Sequence, residues 1–269
     1  MNTFAKLSVC AMTFAGMFLA SAETLDLSEK TFFRKNMGTF SVGEKQFSTT
    51  GMTFLMAAKP FDVDPAKKYT YKLTVNGNIP KDFRLYIGFE LFSADGKAHQ
   101  AIAWQGISST FTQPTRDAKK GDKVIYVKNA VSWSLAGTVF IALDAAADGS
   151  DLPNTKIIEN SIVSKKKIGD EWEVTLRAPL KADIPAGKNI RQHVSGGYYY
   201  PTIVTLKPSD SGKDVVLTAT IQGHNKIVAP FTGKTWPIGV AKAKFLILAD
   251  WGTKANAVLT YKDASFTIE

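Results

Sequence analysis

No helical period persists anywhere in this sequence, and that constrains the fold more than any other feature. Apolar residues recur instead in short runs rich in β-branched and aromatic side chains. They include Tyr69-Thr-Tyr-Lys-Leu-Thr-Val75, Arg84-Leu-Tyr-Ile-Gly-Phe-Glu-Leu-Phe92, Val215-Val-Leu-Thr-Ala-Thr-Ile221 and Phe245-Leu-Ile-Leu-Ala249. Runs of this length, bounded by Gly, Pro, Asn or Asp, read as strands. Ala145-Ala-Ala147 would form one helical turn, but Asp148-Gly149 stops it. Turn residues at Asn76-Gly-Asn78, Asp95-Gly96, Gly121-Asp122, Ala186-Gly187 and Ser211-Gly212 come at the spacing of a sandwich or barrel. The expectation is an all-β chain.

The two ends, Phe61 to Val75 and Ala257 to Glu269, read as halves of one β-sandwich, with a separate small β unit between them. Phe61-Asp-Val-Asp-Pro-Ala-Lys-Lys-Tyr-Thr-Tyr-Lys-Leu-Thr-Val75 resembles the second strand region of galactose-binding-like jelly rolls, the fold of many carbohydrate-binding modules. Leu259-Thr-Tyr-Lys-Asp-Ala-Ser-Phe-Thr-Ile268 is similar to their final strand, and Arg84 to Gly96 to their middle strand and hairpin. The middle has its own signature. A Gly121-Asp122 turn leads into Lys123-Val-Ile-Tyr-Val127, and Pro185-Ala-Gly187 closes the unit, which resembles small β units inserted in secreted bacterial and phage-tail-like proteins. These resemblances imply a jelly-roll β-sandwich over 23–112 and 196–269, interrupted by a small β-barrel-like insertion over 113–195. They also imply carbohydrate binding without catalysis.

Residues 1–22 carry Lys6, an apolar run from Leu7 to Leu19, and then Ala20-Ser21-Ala22, the pattern of a cleaved secretory signal. The run is about 13 residues, short of the roughly 20 that cross a bilayer as a helix, and no later stretch is long or apolar enough. The expected product is secreted or periplasmic, begins at Glu23 and is not inserted in a membrane. Leu7-Ser-Val-Cys10 resembles a lipoprotein cleavage box, but it precedes most of the apolar run. Cys10 is the only cysteine and leaves with the leader, so neither disulfides nor thiol chemistry is expected.

The net charge of +9 becomes +8 once Lys6 is removed. Its lysines and arginines are scattered, and the densest groups, Lys165-Lys-Lys167 and Lys119-Lys120, stand beside turn residues. A nucleic-acid surface would cluster them with aromatics between, so solvated lysines that keep strand edges soluble are the simpler account. No nucleic-acid partner is expected.

The three histidines, His99, His193 and His224, lack the close spacing of a metal motif, and no nucleophile elbow, phosphate loop or dinucleotide fingerprint occurs. Asp144, Asp148 and Asp151 crowd one loop, and Asp170 and Glu171 another. Such acids are solvated, hold a structural calcium ion, or form the carboxylate pair of a glycosidase. No other cofactor is expected. Arg191-Gln-His-Val-Ser-Gly-Gly-Tyr-Tyr-Tyr-Pro201 falls where the insertion returns to the sandwich, and a junction is a favoured place for a cleft. Aromatic faces stack on sugar rings while Arg, His and Gln bond hydroxyls. Strand alternation puts Tyr198 and Tyr200 on one face and Tyr199 on the other. The candidate ligand-binding residues are therefore Arg191, His193, Tyr198 and Tyr200. Trp104, just before the insertion, and Trp251, at a loop tip, join them, whereas Trp133 and Trp172 are expected to plug the insertion core.

Three functions follow from these residues. The first is a secreted non-catalytic protein that binds a glycan by aromatic stacking and polar contacts. The second is an extracellular or envelope structural or interaction protein. The third is a small polysaccharide lyase or hydrolase built on the Arg191 to Tyr200 cluster.

Overall fold

The computed structural model describes residues 23–26, 32–35, 39–43, 46–224 and 233–269. The leader expected over 1–22 lies outside the described residues. Eight strands come first: β1 (Glu23–Asp26), β2 (Phe32–Lys35), β3 (Thr39–Gly43), β4 (Gln46–Thr50), β5 (Thr53–Ala57), β6 (Phe61–Asp62), β7 (Lys68–Asn78) and β8 (Phe83–Phe92). A one-turn helix, α1 (Ala101–Trp104), leads into β9 (Val124–Val127), β10 (Val139–Leu143), β11 (Ile157–Ile158), β12 (Ile162–Ile168), β13 (Glu171–Leu176) and β14 (Ile190–Val194). The chain closes with β15 (Tyr199–Leu206), β16 (Val215–Gln222), β17 (Lys242–Ala249) and β18 (Val258–Ile268).

Two six-stranded antiparallel sheets form the sandwich. The first has the order β16-β7-β18-β4-β3 with β1 also on β18, and the second the order β15-β8-β17-β5-β2 with β6 also on β17. From β15 onward every strand changes sheet, as do the steps β4 to β5 and β7 to β8, which is a jelly-roll way of winding. The chain leaves for the insertion at the end of β8 and returns at β15, and these two strands are direct antiparallel neighbours. The insertion thus fills a connection whose two ends already lie side by side, where the entropic cost of a longer loop grows only slowly.

Period-two alternation explains the core. In β7, Tyr69, Tyr71, Leu73 and Val75 point inward, and in β8, Phe83, Leu85, Ile87, Phe89 and Leu91 meet them from the other sheet. Phe89 sits near the centre, with Trp236, Phe245 and Phe61 at ring distances of 5.1, 5.6 and 5.9 Å. Each side chain of this size contributes about 1.5–3 kcal/mol when fully buried.

The middle strands form two three-stranded sheets, β11-β10-β14 and β12-β13-β9, across a second core of Ile125, Val127, Ile141, Val174, Leu176 and Ile190. Neither sheet closes on itself, so the unit packs two small sheets on one core and is not a closed barrel. Trp133 is buried in this core and donates its indole N–H to the Thr110 carbonyl at 2.8 Å. Trp172 is only partly buried against it. The Gly121-Asp122 turn forms as expected, with Gly121 at φ +97° and the Asp122 carboxylate accepting the Lys119 N–H at 2.7 Å.

Candidate functional site

The outer face of the second sheet is where apolar side chains gather without entering the core. Alternation along β8 sends Arg84, Tyr86, Gly88 and Glu90 outward, and β17 sends Lys244, Leu246 and Leu248. Cross-strand pairing lines Phe54, Leu248 and Tyr86 into one row and Met56, Leu246 and Gly88 into the next. Phe54, Leu246 and Leu248 form a small cluster of their own, with Met56, Tyr86, Tyr198 and Tyr200 packed against it.

Tyr199 turns into the sandwich and is 1% exposed, while Tyr198 and Tyr200 stand on the outer face, as the alternation requires. A bulge between Tyr199 and Thr202 interrupts the β15–β8 ladder. Gly88 makes this possible: a Cβ there would lie 1.9 Å from the Tyr199 carbonyl oxygen and 2.9 Å from the Tyr200 Cα. Close backbone approach, rather than an unusual φ, is what this glycine supplies.

The rings then reach across the sheet. Tyr86 and Tyr200 lie 5.1 Å apart, Tyr198 and Tyr200 6.2 Å, and Phe54 and Tyr198 5.2 Å. Since β8 and β17 separate β15 from β5, the strands carrying Tyr198 and Phe54 are about 14 Å apart. Their contact requires both rings to lie over Gly88 and Leu246, which accounts for the complete burial of the outward-facing Leu246. The interplanar angles of 41°, 58° and 68° make a faceted surface rather than a flat one.

Polar groups bracket the rings. Arg84 donates to the Tyr86 hydroxyl at 3.2 Å at one end, and at the other Lys244 pairs across strands with Glu90 and lies 5.2 Å from the Phe92 ring. Burial raises the pKa of Tyr200, with Tyr198 and Tyr86 adding to it, and burial followed by the Glu90 charge raises that of Tyr198. Both phenols therefore stay neutral and able to donate a hydrogen bond well above neutral pH.

The other sequence candidates do not join this face. Arg191 and His193 do lie where the insertion meets the sandwich, but both are wholly buried. Arg191 holds Asp151 through two nitrogens at 2.8 and 3.2 Å, donates to the Ala146 carbonyl at 2.9 Å, and donates through Nε and Nη2 to His193 Nε2 at 3.1 and 2.9 Å. With Nε2 accepting, His193 donates from Nδ1 to the Ile102 carbonyl of α1 at 2.6 Å. Burial holds the His193 pKa down at about 4, with the Ile102 bond opposing and the Arg191 charge adding to the depression. For Asp151, burial works against the charge, but the bonds from Asn154, the Ala146 N–H and Arg191 outweigh it and lower its pKa. Every side-chain polar atom of the trio is taken, and Arg191 and His193 have no solvent exposure, so the cluster is an internal clasp.

Trp104 is likewise interior, 3% exposed and edge-on to Tyr199 at 6.2 Å. Trp251 is 52% exposed, in the turn after β17. The Asp250 N–H bonds the Arg84 carbonyl at 2.9 Å, which puts this turn beyond the Arg84 end of the face.

The crowded aspartates are separated by their partners: Asp144 pairs with Lys156 and Lys188, Asp148 accepts the Ser150 N–H, and Asp151 belongs to the clasp. Among the described residues no three acidic, histidine or cysteine side chains converge as metal ligands. No described helix is long and apolar enough to cross a membrane.

Tyr86, Phe54 and Met56 were not singled out in the sequence. A signal for them exists: Phe245-Leu-Ile-Leu-Ala249 is an unbroken apolar run, and a strand read that way is covered on both faces. Compared with protein-family models and with curated proteins, the chain matches none.

Proposed function

We propose that this chain is a non-catalytic carbohydrate-binding protein, exported by its leader, that takes a glycan on the outer face of the second sheet. The observation that carries the reading is the gathering of Tyr86, Tyr198 and Tyr200 outside the core, half-buried and bracketed by Arg84, Glu90 and Lys244. The C–H faces of a sugar ring are apolar and stack on such rings, while phenol hydroxyls and flanking charges bond its hydroxyls. The angles between the rings suit successive sugars of a single twisted chain better than a flat crystalline surface.

The test is a glycan-array screen of the purified protein, repeated with Tyr200→Ala and Tyr86→Ala. Saturable binding to a glycan, weakened at least tenfold in each folded variant, is expected, which is a loss of about 1.4 kcal/mol. Phe54, Met56, Leu246 and Leu248 give the same face enough apolar area to favour a second reading, a contact surface of an envelope structural or interaction protein. Absence of glycan binding, with retention of a protein partner lost in the same variants, would select it.

A further inference from the structure

Among the described residues β16 ends the first sheet, with β7 on one side and no strand on the other. The phase of the ladder shows which backbone groups face the open side. Lys68 exchanges both its backbone hydrogen bonds with Glu269, at 2.8 and 2.9 Å. In the pair Gln222–Lys68, the peptide groups of Gln222 therefore point away from β7. The Gln222 N–H indeed bonds the Lys234 carbonyl at 3.0 Å. Every second residue shares this orientation, so Thr220, Thr218 and Val216 turn their N–H and C=O groups outward. Among the described residues these groups meet no backbone partner.

Exposed edges are ordinarily guarded by charge, proline or a bulge. β12, at the edge of its sheet, carries Lys165, Lys166 and Lys167, and β15, at the edge of the second sheet, carries Pro201 at its bulge. β16 has none of these. Its eight residues, Val-Val-Leu-Thr-Ala-Thr-Ile-Gln, include no charge and no proline, and its pairing with β7 is regular. Val216 is 57% exposed. Open space of about 590 Å³ lies against the strand, bounded across the gap by Pro201, Thr202, Gly233 and Lys234.

We infer that two copies of this chain join through β16, in an antiparallel strand pair centred on Thr218. The free run from Val216 to Thr220 is symmetric about that residue and is closed at one end by the bond from Gln222 to Lys234. Around a two-fold axis there, Thr218 faces its own copy and Val216 faces Thr220, and the pairing stops short of Gln222, whose outward side Lys234 occupies. The three outward positions of each strand supply about six hydrogen bonds, Thr218 pairs with Thr218, and no like charges meet. At a net charge of +9 two copies repel over most of their surface, so the uncharged strand is where they approach at least cost. The tyrosine face lies on the other sheet, and the pairing does not depend on any ligand there.

Cysteine cross-linking reads the register directly, in a Cys10→Ser background. Thr218→Cys places two thiols on residues about 5.5 Å apart, within disulfide reach, so a covalent dimer is expected on mild oxidation. Thr220→Cys stands four residues from its copy and is expected to cross-link at least tenfold more slowly alone, but readily when mixed with Val216→Cys. Light scattering of the wild-type chain is expected to give twice the protomer mass. Thr218→Pro removes an outward N–H together with the hydroxyl bond to the Tyr71 carbonyl at 3.0 Å, and is expected to restore the monomer. Should circular dichroism show that variant unfolded, Thr218→Lys gives the same readout. A wild-type chain that stays monomeric at every concentration, equal cross-linking at 218 and 220, or a dimer that survives both Thr218 variants would overturn the inference.

Discussion

Arg191 in β14 and Tyr200 in β15 are nine residues apart, stand on either side of the return from insertion to sandwich, and end in opposite environments. Arg191 and His193 spend all their hydrogen bonds on Asp151, Ala146 and Ile102 inside the molecule. Tyr198 and Tyr200 lie outside the sheet, half-covered by each other and by Tyr86 and Phe54. The difference teaches that a cluster of chemically capable residues in sequence is not yet a site. A charged group at a buried junction is held by partners because its isolation there is costly, whereas an aromatic ring on an outer face can remain partly uncovered.

Removing either side separates the two roles. Arg191→Ala leaves Asp151 buried without its counter-charge and is expected to cost about 3–5 kcal/mol in denaturant unfolding. A loss under 1 kcal/mol would show that the clasp does not hold the junction.

Acid titrates the same clasp. The folded His193 pKa is held at about 4, against an ordinary value of 6.5. The unfolded chain therefore takes the proton first, so this stabilisation is complete above about pH 6.5 and is lost as pH falls towards 4. The loss approaches about 3 kcal/mol. His99, also depressed by burial, changes in the same direction. Measured stability across this window is expected to fall less steeply in His193→Gln, by up to about 1.4 kcal/mol per pH unit. An unchanged slope would remove His193 as the titrating group.

Gly88→Ala acts on the outer face through the backbone, since its Cβ meets the Tyr199 carbonyl. A cost of about 1–3 kcal/mol is expected from this overpacking, together with weaker glycan binding, because Tyr200 must move. Binding intact beside that stability loss would detach the bulge from the site. The smallest effect on folding belongs to Tyr200→Ala, expected to stay within about 1 kcal/mol in the same unfolding assay because the ring is only half-covered. A loss as large as that of Arg191→Ala would make Tyr200 a core residue.

The sandwich was legible because both sheets alternate: Tyr69, Tyr71, Leu73 and Val75 announce an inward face by their spacing alone. The opposite faces of Tyr198 and Tyr199 followed from the same period. The clasp was not legible, because Asp151 and Arg191 are 40 residues apart and only the fold brings them together. The tyrosine face was half-visible. Tyr200 drew notice in a run of three, but Tyr86 and Phe54 look like ordinary strand residues until strand order places them beside it. The outward side of β16 needed the ladder phase, which no single strand carries.

The central claim is that the outer tyrosine face binds a glycan, and calorimetric titration of an array-selected glycan into wild type and Tyr86→Ala/Tyr200→Ala tests it most directly. The account predicts saturable wild-type binding that falls more than tenfold in a double variant whose circular dichroism is unchanged. Wild-type affinity retained in that folded variant would contradict it.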